Sequence, residues 1–106
     1  MSLLLVAIVH DKDADRVVDA LRRARHGSTR IPSFGGFLGT ANTTLLIGAD
    51  EQDEGAIVEI FQRECSGRQV EVPLVMLDRL RDASPRVVSY GGATIFVVNL
   101  QRVIRI

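Results

Sequence analysis

Two helical stretches written in the same charge grammar constrain this chain more than any other feature. In the first, Ala14, Val17, Val18, Leu21 and Ala24 recur at the spacing that places them on one helix face. Asp11, Asp13 and Asp15 gather at its start and Arg22, Arg23 and Arg25 at its end, each sign complementing the helix macrodipole. His10-Asp11-Lys12-Asp13 supplies capping residues, and Gly27 fits a stop. In the second, Asp50, Glu51, Asp53 and Glu54 crowd the start, and Ile57, Ile60 and Phe61 line one face. Gly67 stands where a left-handed residue would close the helix. Both acidic clusters are thereby accounted for as helix starts in preference to carboxylate catalytic or metal sites.

Extended segments fill the space around these helices. Leu3-Leu4-Leu5-Val6-Ala7-Ile8-Val9 reads as a buried strand, Ser28 to Ser33 and Thr43 to Ile47 as two more, and Ala93-Thr94-Ile95-Phe96-Val97-Val98 as a last strand after Gly91-Gly92. Val70, Val72 and Leu74 alternate as a half-buried extended stretch before it. The order is β-α-β-β-α-β, and two right-handed βαβ crossovers place both helices on one face of an antiparallel sheet. The expectation is an α+β fold, a ferredoxin-like βαββαβ sandwich with two long loops, forming a single domain over residues 1–106. Residues 78–92, mixed in charge and containing Pro85, read as the second of those loops, exposed at its middle. The first and last strands carry apolar residues on both sides, so the second sheet face also meets something apolar, and self-association is the economical answer.

The first long loop, Phe34-Gly35-Gly36-Phe37-Leu38-Gly39-Thr40-Ala41-Asn42-Thr43-Thr44, holds more glycine, aromatic and small polar groups than a hairpin turn requires. Glycine lets main-chain N–H groups approach a phosphate or a purine edge, while Asn42 and the threonines offer donors and acceptors. The same composition also suits a long hairpin connection with no ligand. It does not suit a dinucleotide fingerprint or a phosphate loop: Gly35, Gly36 and Gly39 have the wrong spacing, and a strand follows where those motifs need a helix.

Charge and cysteine usage exclude further classes. Thirteen basic and thirteen acidic side chains cancel, so the overall positive field used to hold a DNA or RNA polymer is missing, while a small anion met by a few local arginines is compatible. The single cysteine, Cys65, falls late in the second helical pattern and reads as core packing. The apolar run at the start is too short to span a bilayer and lacks a signal-peptide pattern, which gives the expectation of a cytoplasmic protein without membrane insertion. His10 and His26, the two histidines, read as surface or capping residues, and no nucleophile–base or metal constellation emerges. Arg102 and Arg105, near the end of the chain, read as solvated although an intersubunit cleft is a second place for them.

At this level the sequence resembles the PII-like cyclic-di-AMP receptors, on two separated motifs in the right order. Phe34-Gly35-Gly36-Phe37-Leu38 with Asn42-Thr43-Thr44 and Gly48 forms the first, and Gly91-Gly92-Ala93-Thr94-Ile95-Phe96-Val97 the second. The opening Ala7-Ile8-Val9-His10-Asp11-Lys12-Asp13 fits the same family. The resemblance implies a PII-like subunit assembled as a homotrimer that binds cyclic-di-AMP in clefts between subunits and signals through loop rearrangement to a downstream protein. It implies no catalysis and no other cofactor. It places Thr29, Gly36, Phe37, Leu38, Asn42, Gly48 and Phe96 around the ligand, with Phe37 or Phe96 as an apolar platform for adenine. Where the family carries an arginine after the first helix, this chain has Gly27, and Arg25 or Arg30 stands near enough in sequence to serve as phosphate partner. The Cys65–Gly91 connection is shorter than usual, and Val103-Ile104-Arg105-Ile106 departs from the family's tail. A PII-type regulator binding ATP or ADP, and a structural interaction protein whose pocket has decayed, remain the alternatives.

Overall fold

The computed structural model describes residues 2–34, 41–65, 68–71, 87–90 and 92–106. Strand β1 (Ser2–His10) leads into helix α1 (Asp11–Arg23), then β2 (Thr29–Phe34) and β3 (Ala41–Asp50). A 3₁₀ turn (Glu51–Asp53) enters α2 (Glu54–Glu64), followed by β4 (Arg68–Glu71), β5 (Val87–Tyr90) and β6 (Ala93–Asn99). The main sheet has the order β2-β3-β1-β6 and is antiparallel at each pairing, the ferredoxin-like arrangement in which each helix crosses between strands that lie two apart. Strands β4 and β5 pair antiparallel as a separate two-stranded sheet.

Alternation along β1 builds the core. Leu3, Leu5, Ala7 and Val9 are buried, whereas Leu4, Val6 and Ile8 between them are only half-buried. The buried set joins Leu45 and Ile47 of β3, with Ala93 and Ile95 of β6 packed against them, beneath Ala14, Val17 and Leu21 of α1 and Ile57, Ile60 and Phe61 of α2. Cys65 completes this cluster, as expected from its place in the helical pattern. One carboxylate belongs to the buried face: Asp13, 1% exposed, accepts a hydrogen bond from Arg16. The Arg16 guanidinium also donates to the Glu64 carbonyl at 3.2 Å. It thus brings positive charge from α1 to the negative end of α2.

Four expectations need correction. First, β3 begins at Ala41, two residues before the expected start at Thr43, so Ala41 and Asn42 are strand residues and not part of the loop, because nine-residue β1 continues the ladder as far as the His10–Asn42 pair. Second, Gly27 is not the helix stop. Helix α1 ends at Arg23, and its left-handed residue is Arg25 at φ 66°. The Arg25 amide donates to the Arg22 carbonyl at 2.9 Å and the His26 amide to the Leu21 carbonyl at 2.8 Å, the paired bonds of a Schellman closure. Third, Val87–Tyr90, read as part of a loop, form β5, because backbone pairing with β4 satisfies groups that the sequence pattern left unassigned. Fourth, His10 is not a surface residue: it occupies the N-cap position of α1, makes no side-chain capping bond and is 6% exposed. Gly36, Phe37, Leu38 and Gly67, as well as the middle of the second long loop, lie outside the described residues.

Candidate functional site

Cross-strand register sorts the helix-free face of the sheet into rows, because directly paired residues point to the same side. One row runs Thr29, Leu46, Val6, Phe96 across all four strands. The next, toward the start of β1, holds Gly48, Leu4 and Val98, and the row on the other side holds Ile31, Thr44, Ile8 and Thr94. Ser33, Asn42 and His10 form the row at the far end. The centre of this face is therefore apolar, with Ile31, Phe96 and Val98 each more than two-fifths exposed. Thr29, Asn42, Gly48 and Phe96, chosen from the sequence as ligand residues, all share it.

The two ends of the face differ in chemistry. At the Asn42 end, the Ser33 hydroxyl donates to the Asn42 side-chain oxygen and lies 2.9 Å from the Thr44 hydroxyl. A hydroxyl carries one proton, so with Ser33 donating to Asn42 the Thr44 hydroxyl donates to Ser33, and all three point the same way. On the opposite side of the same strand, Thr43 donates to Asp11 at 2.7 Å and ties β3 to the start of α1. Asn42 is 2% exposed, and its side-chain oxygen holds this end of the hairpin by accepting from Ser33. At the other end, six residues along β3 or about 20 Å at strand rise, Gly48 is exposed and a Cβ there would meet nothing within 4 Å.

Gly48 borders a cavity of about 640 Å³ that also contains Arg25, His26, Asp50, Asp53 and Arg105. The Schellman turn places Arg25 there, holding an L-residue in the left-handed region at a cost in free energy. Arg30 takes a different direction. Its partner in β3 is Leu45, on the helix-covered side, and its guanidinium donates to Asp15 of α1 at 2.7 Å. Of the two arginines adjacent to Gly27, Arg25 is thus the one that reaches the cavity. Arg105, read from sequence as solvated, also lines it, whereas Arg102 does not. The Arg105 segment is nonetheless exposed, as the solvated reading has it, Val103, Ile104 and Ile106 included.

Among the described residues, no group of three His, Cys, Asp or Glu side chains stands close enough to share a metal ion. Nor is any helix long and apolar enough to cross a membrane.

Comparison with known proteins agrees with this fold. The family model described as cyclic-di-AMP receptor matches residues 1–106, the whole chain. The chain belongs to that family. A solved structure of a functionally unknown protein from Pediococcus pentosaceus ATCC 25745 superposes with a TM-score of 0.75 at 30% identity, covering 99% of this chain and 97% of that one. The structure of Arabidopsis thaliana PII bound to citrate superposes with a TM-score of 0.64 at 15% identity, covering 99% of this chain and 80% of the other. That second likeness extends the PII-like fold to this chain, and the family match makes it a member of a nucleotide-sensing signalling family.

Proposed function

We propose that this chain is a noncatalytic, cytoplasmic receptor for cyclic-di-AMP that acts as a homotrimer, binding the nucleotide in clefts between subunits. Occupancy is passed to a downstream protein by rearrangement of the loops that border those clefts. The observation that supports this reading is the shared face: Thr29, Asn42, Gly48 and Phe96 lie on the side of the sheet opposite the two described helices. Its apolar centre favours burial against another subunit at about 25 cal/mol per Å². Asn42 and Gly48 are about 20 Å apart along β3, too far for one base to touch both in a single chain. Adjoining copies bring opposite ends of the face together, so one ligand can use the cavity end of one subunit and the hairpin end of its neighbour. Gly36, Phe37 and Leu38, with Phe96, then complete the walls, and an aromatic ring supplies the surface on which adenine stacks.

The test joins titration calorimetry with a mass measurement in solution, using cyclic-di-AMP, ATP and ADP. The expected result is one cyclic-di-AMP per subunit and a particle of three chains of 11.6 kDa each. A single-chain mass together with no heat and no thermal stabilisation at millimolar ligand overturns the reading. Tighter uptake of ATP or ADP at the same site instead assigns the chain to PII-type regulation.

A further inference from the structure

The cavity at the start of β1 carries an arrangement of charge that neither the family match nor the shared face explains. Arg25 enters it from the left-handed turn after α1, and Arg105 enters from the C-terminal segment at the opposite end of the sequence. Asp50 and Asp53 enter from the opening of α2. Neither arginine stands within ion-pair distance of a carboxylate among the described residues, although Arg16, Arg22, Arg30 and Arg63 all do. Two arginines that line one cavity without a carboxylate partner suit an oxyanion with more than one free oxygen, since a planar guanidinium fork binds such oxygens in pairs.

From this balance we infer that Arg25 and Arg105 form a two-arginine phosphate clamp, and that Asp50 and Asp53 make the cleft selective for singly charged phosphodiesters over polyphosphates. The inference rests on the nucleotide-receptor reading above and deepens it by assigning the ligand's charge class. Two arginines and two aspartates leave the lining with no net charge, His26 aside. Cyclic-di-AMP carries one negative charge on each of two separate phosphodiester groups, and the arginine pair neutralises the one it holds. A nucleoside triphosphate stacks several charges on adjacent phosphoryl groups, and those beyond the clamp share the cavity with Asp50 and Asp53, whose like charges repel them. Arg105 is in this account a binding residue contributed by the chain terminus, and Arg25 takes the place that Gly27 leaves without a cation.

Titration calorimetry at fixed ionic strength, with cyclic-di-AMP and ATP as the two probes, tests both halves. Arg105→Gln is expected to weaken cyclic-di-AMP by about tenfold or more, the loss of a charge-assisted hydrogen bond. Arg102→Gln, a neighbour outside the cavity, leaves the affinity unchanged. Arg105 lies in an exposed segment without regular structure, so its replacement leaves the core intact. The double variant Asp50→Asn/Asp53→Asn keeps the helix-start preference for Asn and is expected to raise ATP affinity by about fivefold or more, narrowing the preference for the cyclic ligand. Wild-type binding of cyclic-di-AMP with unchanged affinity in Arg105→Gln overturns the clamp, and unchanged ATP affinity in the aspartate variant overturns the charge filter. A wild-type chain that takes up neither probe overturns the receptor reading itself, and the cleft's assignment with it.

Discussion

Replacing Arg25 by glycine sets stability against binding at one residue. In the structure Arg25 sits at φ 66° as the residue that closes the Schellman turn, a position where glycine is the usual occupant. An L-residue there costs about 1–2 kcal/mol relative to its right-handed conformation. Glycine avoids that cost but loses about 0.5–1 kcal/mol more backbone entropy on folding. The net expectation for Arg25→Gly is a gain of about 0.5–1 kcal/mol. With an unfolding entropy of about 2.1 cal/mol/K per residue over 106 residues, that gain raises Tm by about 2–5 °C. Differential scanning calorimetry at one fixed chain concentration reads it, the fixed concentration removing any contribution from assembly. The same variant deletes a guanidinium from the cavity, and cyclic-di-AMP affinity is expected to fall by about ten- to a hundredfold, the span of a hydrogen bond to a charged group. Arg25→Ala separates the two effects, since it keeps the left-handed strain and loses the charge: its affinity falls equally and its Tm does not rise. An Arg25→Gly protein that melts at or below the wild-type temperature refutes the strain argument. One that melts higher and binds as well as wild type refutes the functional reason for tolerating it.

Two further outcomes follow from the ion pairs and from Gly27. Arg16→Ala removes a partner of the buried Asp13 and the donor to the Glu64 carbonyl, and is expected to cost about 1–3 kcal/mol in urea unfolding. Arg22→Ala, whose partner Asp19 is more than half exposed, should cost no more than about 0.5 kcal/mol, and equal losses in the two would contradict the structural account. Gly27→Arg adds a cation at a position bordering the cavity where an added Cβ meets no atom within 4 Å. It is expected to leave Tm within about 2 °C and to tighten cyclic-di-AMP by about three- to tenfold, read by calorimetry, as one more charge-assisted contact to phosphate.

Much of this protein is legible in periodicity. The alternation of Leu3, Leu5, Ala7 and Val9 against Leu4, Val6 and Ile8 marks a strand with two distinct faces, and the helical spacing of Val17 with Leu21 and of Ile57 with Phe61 marks what covers one of them. Those patterns are local, because the pleat and the helix repeat at fixed intervals along the chain, so the βαββαβ order follows from them. The motif around Asn42 and Gly48 was legible for the same reason: residue types at fixed spacing survive in one dimension.

Other features depended on partners distant in sequence. The true start of β3 at Ala41 is set by how far β1 extends beside it, and β5 exists through its pairing with β4. Asp13 is stable within the core because Arg16 accompanies it, and Arg16 is placed by the end of α2, 48 residues away. Arg25 in its left-handed turn and Arg105 in the segment after β6 line one cavity although 80 positions of sequence separate them. Local composition specified which elements form, since hydrogen-bond geometry within a helix or along a strand is a property of neighbours. Which charges face one another was decided only by folding, since long-range packing alone brings the two ends of the chain to the same place.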